Sequence, residues 1–332
     1  MVLEELGMFV LGCAILIKSA DYLVNSLSDI AAYFRVSDFV IGFIVMAFAT
    51  SIPDLMVGVS SALSSTPDNP LTSMALGDVI GGNILALTLV VGVIAILHKD
   101  IKIETKAVRT DTIYMFLIVA LPMVLMMDRE LSQMDGLILV FVFLIYILRL
   151  LGQRSKSRSR GAEEDRTEAS KKKLQRSVIL SLISLFFLFV GASLLVTNGG
   201  KMAVYLGVPP ILIGLFLISI GTTMPELIFE MKAITSDHQN MALGDLIGSV
   251  ITNSTLVLGL TAIIFPIQAG DFLVYMTSTF FMLTVAFLFM TFIEAERHIL
   301  WQEGVGLILL YVLFVIVELS MHQFEVAQAL GG

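Results

Sequence analysis

The chain has 332 residues, of which 57% are hydrophobic and 14% are charged, whereas soluble domains average about 45–50% and 25%. This composition excludes a soluble globular protein and indicates an integral membrane protein in contact with a lipid bilayer. The net charge of −8 is concentrated in loops and gives no sign of a nucleic-acid partner. The single cysteine, Cys13, excludes a disulfide framework or a cysteine metal site within one chain.

Apolar runs of about 20 residues, long enough to cross a bilayer, recur about ten times along the chain. The predicted spans are 7–30, 38–64, 72–97, 111–128, 133–151, 176–199, 209–234, 241–266, 270–293 and 301–321. The first has no basic region before it and no clear cleavage site, so we interpret it as a retained helix and not as a signal peptide.

A charged segment, 152–175, separates the fifth span from the sixth. Its mixture of lysine, arginine and acidic residues favours a solvated connector over a regulatory or lipid-binding loop. The positive-inside rule places this segment in the cytoplasm. Stepping outward span by span then puts both termini outside, and the predicted inner loops hold more Lys and Arg than the outer ones.

The two halves, 1–151 and 176–332, repeat each other in sequence. Phe39-Val-Ile-Gly42 matches Ile211-Leu-Ile-Gly214, and Met74-Ala-Leu-Gly-Asp-Val-Ile-Gly81 matches Met241-Ala-Leu-Gly-Asp-Leu-Ile-Gly248. Five spans per half give the halves opposite orientations in the membrane. The sequence therefore predicts an all-α fold of ten transmembrane helices in two inverted five-helix repeats, an architecture in which transporters place a site at the midplane.

One stretch in each half places a carboxylate in the middle of an apolar run: Ala47-Phe-Ala-Thr-Ser-Ile-Pro-Asp54 and Ser219-Ile-Gly-Thr-Thr-Met-Pro-Glu226. On a helix, Thr50 shares a face with Asp54, and Thr222 shares a face with Glu226. Proline lacks an N–H group and leaves a carbonyl free. A helix kink repaired by hydroxyls would explain one copy, but the same acid in both copies favours an ion site with the oxygen ligands of Na⁺ or Ca²⁺.

A second motif lies in the following span of each half. Asp245, Ser249 and Asn253 fall four apart on one helix face, deep enough for Ser249 and Asn253 to reach Asp54 and Glu226, whereas the first half has Asp78, Gly82 and Ala86 there. We expect Asp78 and Asp245 to begin their helices. An aspartate in a first turn is favoured by the helix dipole, so this interpretation stands beside a role in an ion vestibule. For Glu230, the cytoplasmic exit and the membrane interface remain equal alternatives.

These motifs, Gly221-Thr-Thr-Met-Pro-Glu226 and Ala242-Leu-Gly-Asp-Leu-Ile-Gly-Ser249 with their first-half counterparts, resemble the two alpha-repeats of the calcium/cation antiporter superfamily, especially prokaryotic sodium/calcium exchangers. The resemblance implies plasma-membrane exchange of cytosolic Ca²⁺ for external Na⁺, serving calcium homeostasis, with no cofactor. It also implies that the first helix of each half slides against the rest. The implied ion ligands are Ala47, Thr50, Ser51, Asp54, Ser219, Thr222, Thr223, Glu226, Ser249 and Asn253, with Asp78 and Asp245 as weaker candidates.

The chain departs from the family at several of these positions. Asp54 stands where most members have glutamate, and Asn253 is at a position that is often acidic. Gly82 and Ala86 replace the usual serine and asparagine, and Asp78 and Asp245 follow glycines where the motif has asparagine. Two central carboxylates still suffice to neutralise one Ca²⁺.

Three other functions are weighed against sodium/calcium exchange. A proton-coupled or other divalent-cation antiporter would use the same fold, with Asp54 or Glu226 exchanging protons. A passive cation channel needs an open polar path, but apolar residues fill the flanks of the polar cluster. A membrane-embedded enzyme is disfavoured because the sequence has no His-Glu-x-x-His or Gly-x-Ser-x-Gly motif.

Overall fold

The computed structural model describes residues 2–33, 46–98, 100–102, 106–153, 168–235, 239–295 and 298–331. Within these ranges, nine helices are long and apolar enough to cross a membrane. The predicted span 38–64 is described only from residue 46 onward and is not among the nine. The all-α integral membrane fold predicted from the sequence is confirmed.

The helices of the first half are α1 (Val2–Tyr33), α2 (Ala47–Thr50), α3 (Ile52–Ser64), α4 (Thr72–Leu85), α5 (Val91–His98), α6 (Lys106–Leu125) and α7 (Gln133–Gln153). Those of the second half are α8 (Glu168–Leu206), α9 (Pro210–Leu212), α10 (Ser219–Thr235), α11 (Gln239–Thr252), α12 (Leu258–Ile264), α13 (Phe272–Ala295) and α14 (Trp301–Gly331). Three π-helical segments, Ala86–Val90, Ile213–Ile218 and Asn253–Val257, join α4 to α5, α9 to α10 and α11 to α12. A 3₁₀ turn, Met126–Asp128, follows α6.

The helices that carry the repeated motifs form the centre of the protein. Within an apolar 18-residue window of spans 72–98, 210–235 and 241–264, 83%, 67% and 78% of the residues are buried, whereas the windows of the other six described spans are 22% to 44% buried. Helices that are apolar all round belong inside a bundle or against lipid. The motif helices are therefore surrounded by protein, and the other spans present large apolar side chains outward.

Close backbone contact between the halves depends on glycine. A Cβ atom at Gly77 would lie 2.2 Å from the carbonyl oxygen of Ile211, and one at Gly214 would lie 2.1 Å from that of Met74. No side chain fits there, so α4 and the segment Ile213–Ile218 touch through their backbones. The small residues that begin at Gly77 therefore permit a close approach between these two helical segments.

The first helix of each half packs against the other half. Helices α1 and α8 cross each other at Gly12 and Gly191, where a Cβ on either glycine would lie 3.0 Å from the carbonyl oxygen of the other. Helix α1 also packs on α10, and α8 packs on α3. Each half thus places its first helix against the motif helix of its partner repeat.

Two short antiparallel ladders, which the sequence did not reveal, link interhelical loops. Strand β1 (Asp100–Lys102) pairs with β4 (His298–Leu300), and β2 (Glu130–Leu131) pairs with β3 (Ile267–Gln268). The topology predicted from the sequence puts the loops that carry β1 and β4 on the inner side of the membrane. It puts the loops that carry β2 and β3 on the outer side. Each ladder therefore joins loops that the topology assigns to the same side.

The charged connector is shorter than predicted. Helix α7 extends to Gln153 and α8 begins at Glu168, so residues 152–153 and 168–175 are helical. Lys, Glu, Gln and Ala are good helix formers, which lets both helices continue past their apolar spans. Residues 154–167 of this segment, like the block Phe39–Gly42, lie outside the described residues. The division into two repeats and a linker remains a prediction.

Candidate functional site

The two proline motifs fold differently. In the first half a single residue, Ser51, separates α2 from α3, but it keeps helical backbone angles (φ −81°, ψ −5°), and its carbonyl oxygen accepts a hydrogen bond from the Leu55 N–H at 3.0 Å. Pro53 lies in the first turn of α3. In the second half α10 runs without a break through Pro225. The first motif therefore has a one-residue irregularity before its proline and the second has none, although the motifs are related in sequence.

All twelve sequence-predicted ligand residues are buried. Asp54 and Glu226 are each 2% exposed, although both side chains carry a titratable carboxyl group. The others are Ala47, Thr50, Ser51, Asp78, Ser219, Thr222, Thr223, Asp245, Ser249 and Asn253. Ionisable groups inside a membrane protein are costly and mark ion pathways, so this burial favours a functional site.

A hydrogen bond crosses between the repeats at two equivalent places. The Thr50 hydroxyl lies 3.1 Å from Asp245 Oδ1, and the Thr222 hydroxyl lies 2.9 Å from Asp78 Oδ1. Both hydroxyls also lie within reach of carbonyls on their own helices. Each hydrogen bond joins the helix that carries the proline motif in one half, α2 or α10, to the helix that carries the Gly-Asp motif in the other half, α11 or α4. This arrangement is expected for an inverted repeat.

The expectation that Asp78 and Asp245 begin their helices is wrong. Helix α4 begins at Thr72 and α11 at Gln239, so both aspartates lie more than one turn inside, and both are 0% exposed. The polar residues before each motif continue the helix instead of ending in a cap. Helix-dipole stabilisation of a first turn therefore does not explain these two acids, and both face the buried site.

Several buried oxygens of the site have no hydrogen-bond partner among the described residues. They are Ser51 Oγ, Asp54 Oδ2, Asp78 Oδ2, Asn83 Oδ1, Glu226 Oε1, Glu230 Oε1, Asp245 Oδ2 and Asn253 Oδ1. A buried polar atom without a partner costs about 1–3 kcal/mol, and a charged one costs more. Carboxylate, amide and hydroxyl oxygens are the ligands of hard cations such as Na⁺ and Ca²⁺, so bound cations would satisfy these atoms.

The site is lopsided at the level of Asp54. A Cβ at Gly82 would lie 3.4 Å from the Thr223 hydroxyl and 3.8 Å from Asp54 Oδ1, so Gly82 faces the site but offers no side-chain ligand. Its counterpart Ser249 has a buried hydroxyl that lies 3.1 Å from the Leu246 carbonyl. The second half therefore supplies a side-chain oxygen where the first half supplies none.

Two further residues belong to this region. The Asn83 amide donates to the Ser254 hydroxyl at 3.0 Å, across the two repeats. Glu230 is 2% exposed, so the interpretation that it reaches the membrane interface is wrong. The four-residue spacing from Glu226 could have predicted its burial, whereas nothing in the sequence identified the Asn83–Ser254 pair.

Five carboxyl groups share this part of the protein. Asp54, Asp78, Glu226, Glu230 and Asp245 act on one another electrostatically. No set of three or more His, Cys, Asp and Glu side chains in the described ranges is arranged to hold a metal ion by itself. A bound cation would therefore need hydroxyl, amide or backbone oxygens to complete its coordination.

A helical membrane protein with two inverted repeats and a buried cluster of oxygen ligands where they meet is a secondary transporter for small cations. The family described as sodium/calcium exchanger protein matches residues 5–152 and 176–319. The chain therefore belongs to the sodium/calcium exchanger family, and the resemblance found in its motifs is confirmed.

Individual relatives and solved structures resemble the chain over most of its length. The sodium/calcium exchanger MaX1 of Methanosarcina acetivorans is 28% identical over 92% of this chain and 96% of its own length. The inner membrane protein YrbG of Escherichia coli is 27% identical over 85% of this chain and 86% of its own length. Among solved structures, the sodium-calcium exchanger NCX_Mj soaked with 2.5 mM Na⁺ and 10 mM Sr²⁺ matches with a TM-score of 0.66 and 28% identity, covering 95% of this chain and 99% of that one.

Proposed function

We propose that this protein is a secondary antiporter that exports Ca²⁺ in exchange for Na⁺, by alternating access at a site between its two repeats. The observation that carries the proposal is the pair of equivalent cross-repeat bonds, Thr50 to Asp245 and Thr222 to Asp78, on either side of the buried acids Asp54 and Glu226. Membership of the exchanger family supports the choice of ions.

The central ligands in this proposal are the carboxylates of Asp54 and Glu226. Their two negative charges neutralise one Ca²⁺, and without it Na⁺ ions occupy the same oxygens. The remaining ligands are oxygens of Ala47, Thr50, Ser51, Ser219, Thr222, Thr223, Ser249 and Asn253, with the Ala47 and Ser219 contributions being carbonyls. Because one set of oxygens serves both ions, Na⁺ and Ca²⁺ compete, which is the basis of obligatory exchange.

Alternating access in this proposal moves α1 and α8 as a pair against the other helices. Their crossing at Gly12 and Gly191 holds them together, and their contacts with α10 and α3 place them beside the site. Sliding of this pair opens the site to one side of the membrane at a time. Rigid-body movement of one helix group against another around a fixed site is the usual mode for inverted repeats.

We assign the protein to the plasma membrane, with both termini outside and the charged connector in the cytoplasm. The excess of Lys and Arg in the predicted inner loops carries the orientation. Loops that pair in a β-ladder must lie on the same side of the membrane. Both ladders meet this condition when each half has an odd number of spans. In this orientation Thr50 and Glu230 lie on the cytoplasmic side of Asp54 and Glu226, and Asp78 and Thr222 lie on the outer side.

A proton-coupled antiporter is the second candidate. Five buried carboxyl groups offer more negative charge than one Ca²⁺ neutralises, so a proton could replace Na⁺ as the coupling ion at one of them. The substrate and the alternating-access mechanism would remain the same.

Ca²⁺ uptake into proteoliposomes loaded with Na⁺ tests the proposal. We expect uptake when Na⁺ is inside and choline is outside, and no uptake with Na⁺ on both sides. We expect Glu226→Gln to lower the rate by more than about 100-fold, since the central site loses one of its two charges. Glu318→Gln, which removes a buried acid on a different helix pair, serves as the matched control with wild-type flux.

The other possible results of this uptake experiment distinguish between the candidate functions. Uptake driven only by a pH step would establish the proton-coupled candidate. Flux that continues unchanged in Glu226→Gln would refute the site, and Ca²⁺ entry without any gradient of a second ion would indicate a channel.

A further inference from the structure

The cytoplasmic side of the site contains an acidic pair that the exchange site itself does not require. Glu230 lies one helical turn beyond Glu226 on α10, which is about 6 Å along the axis. Asp245 on α11 accepts the hydrogen bond from Thr50, and its carboxyl group acts electrostatically on that of Glu230. Helix α11 packs directly on both α10 and α2, so these three helix segments bring oxygen ligands to the same region of the protein.

Both acids have an oxygen that the protein leaves unsatisfied. Asp245 Oδ2 and Glu230 Oε1 have no hydrogen-bond partner within the described part of the chain, and the two residues are 0% and 2% exposed. The ion pairs found among the described residues involve other carboxylates, those of Asp29, Asp111 and Glu5. Two neighbouring buried carboxyl groups without a basic partner are expensive, so a cation is the natural complement.

The first half has no counterpart of the Glu230–Asp245 pair, so the pair is not a consequence of the repeat. In the first half, Asp78 has the equivalent bond to Thr222, but Gly58 stands one turn after Asp54, where Glu230 follows Glu226. A Cβ at Gly58 would lie 2.3 Å from the Thr261 hydroxyl, so that position is closed by α12. Among the described residues of the site, the cytoplasmic side thus has two carboxyl groups beyond the central pair, and the outer side has one.

We propose that Glu230 and Asp245, together with the Thr50 hydroxyl oxygen, form a second divalent-cation subsite on the cytoplasmic side of Asp54 and Glu226. The subsite takes Ca²⁺, because two carboxylates balance its charge and all three side chains offer hard oxygen ligands. Thr50 is adjacent to both the subsite and the central ligands. An ion can therefore pass from one to the other without regaining a full hydration shell. This inference rests on the proposed function for its direction of transport, but not for the binding itself.

The subsite makes the two faces of the transporter unequal. Among the buried carboxylates of the described residues, Ca²⁺ arriving from the cytoplasm meets Glu230 and Asp245 before the central pair, whereas Ca²⁺ arriving from outside meets Asp78. We therefore expect Ca²⁺ to half-saturate transport at a lower concentration on the cytoplasmic face. Such an asymmetry suits a protein that removes Ca²⁺ from a compartment where it is scarce.

Equilibrium binding of ⁴⁵Ca²⁺ to the purified protein in Na⁺-free buffer tests the subsite directly. We expect the wild type and the control Glu318→Gln to bind two ions per chain, and Glu230→Gln to lose one ion or bind it about tenfold more weakly. Glu230→Asp, which keeps the charge, should retain both ions. This variant also separates loss of a ligand from loss of folding.

Transport measurements add a second readout. In proteoliposomes sorted by orientation, Glu230→Gln should raise the half-saturating Ca²⁺ concentration at the cytoplasmic face about tenfold and leave the outer face within about twofold. Equal binding stoichiometry and affinity in wild type and Glu230→Gln would overturn the subsite, whatever the transport result. Absence of Na⁺-dependent flux in the wild type would instead refute the proposed function, while the binding titration would still decide the subsite.

Discussion

The first and second repeats share a plan but differ in the chemistry that they bring to the site. In the first half Gly58 stands one turn after Asp54 and Gly82 faces the site, whereas the second half has Glu230 and Ser249 at the corresponding positions. The second half therefore supplies more side-chain oxygens and more negative charge. Inverted repeats conserve the positions of helices, and single positions within them can diverge to make the two faces of a transporter unequal.

The last two helices of each repeat show the same divergence outside the site. In the first half, Asp111 on α6 pairs with Arg149 on α7 at 2.7 Å. In the second half, Glu318 on α14 accepts hydrogen bonds from Thr277 and Ser278 on α13 at 2.7 and 2.8 Å. A polar contact thus joins the fourth and fifth membrane spans of each half, α6 to α7 and α13 to α14. Of these two contacts, only the one in the first half is an ion pair.

The largest effect is expected where the repeats touch through backbone. In Gly214→Ala the new Cβ would lie 2.1 Å from the Met74 carbonyl oxygen, so the helices must separate, and we expect a loss of more than about 3 kcal/mol in the free energy of unfolding. Gly82→Ala, whose Cβ meets nothing closer than 3.4 Å, is the matched control with no loss. The thermal midpoint of the purified protein measures both, and equal midpoints would contradict the close contact.

An intermediate loss of stability is expected from substitutions at the two polar contacts between the fourth and fifth spans, α6–α7 and α13–α14, and its size should differ between them. Asp111→Asn leaves the guanidinium of Arg149 without its counter-charge in a partly buried place, which costs about 2–3 kcal/mol of unfolding free energy. Glu318→Gln keeps a carbonyl that both hydroxyls can still reach, and it should cost less than about 1 kcal/mol. Denaturant or thermal unfolding in one detergent compares them, and a larger loss in Glu318→Gln would show that the contacts have been ranked wrongly.

The smallest effect tests whether the repeats are equivalent where they cross. Thr222→Val and Thr50→Val each remove the hydroxyl donor from a buried aspartate, Asp78 or Asp245. Without bound ions, each should lower the unfolding free energy by about 1–2 kcal/mol, the cost of one buried carboxyl oxygen left unsatisfied. Similar losses would support the two-fold arrangement, whereas a loss in only one variant would show that just one bond matters.

The family, the fold class and most span positions could be predicted from the sequence. Apolar length predicts a membrane helix because the bilayer thickness is fixed, and the repeated Gly-Asp and proline motifs are local patterns that survive divergence. Burial of Asp54 and Glu226 also followed, because both lie in the middle of apolar runs. The helix boundaries at Glu168 and Gln153 were missed because polar residues continue a helix as readily as they end one.

Only the tertiary structure decided how these pieces meet. The bond from Thr50 joins residues 195 positions apart, and that from Thr222 joins residues 144 apart, which no local pattern encodes. The depth of Asp78 and Asp245, the burial of Glu230 and the pairing of loop strands depend likewise on which helix faces pack together. The sequence by itself determined that acids lie inside a membrane transporter, and packing between the repeats decided which of those acids share a site, because electrostatic and hydrogen-bond partners are fixed by distance in space and not by spacing along the chain.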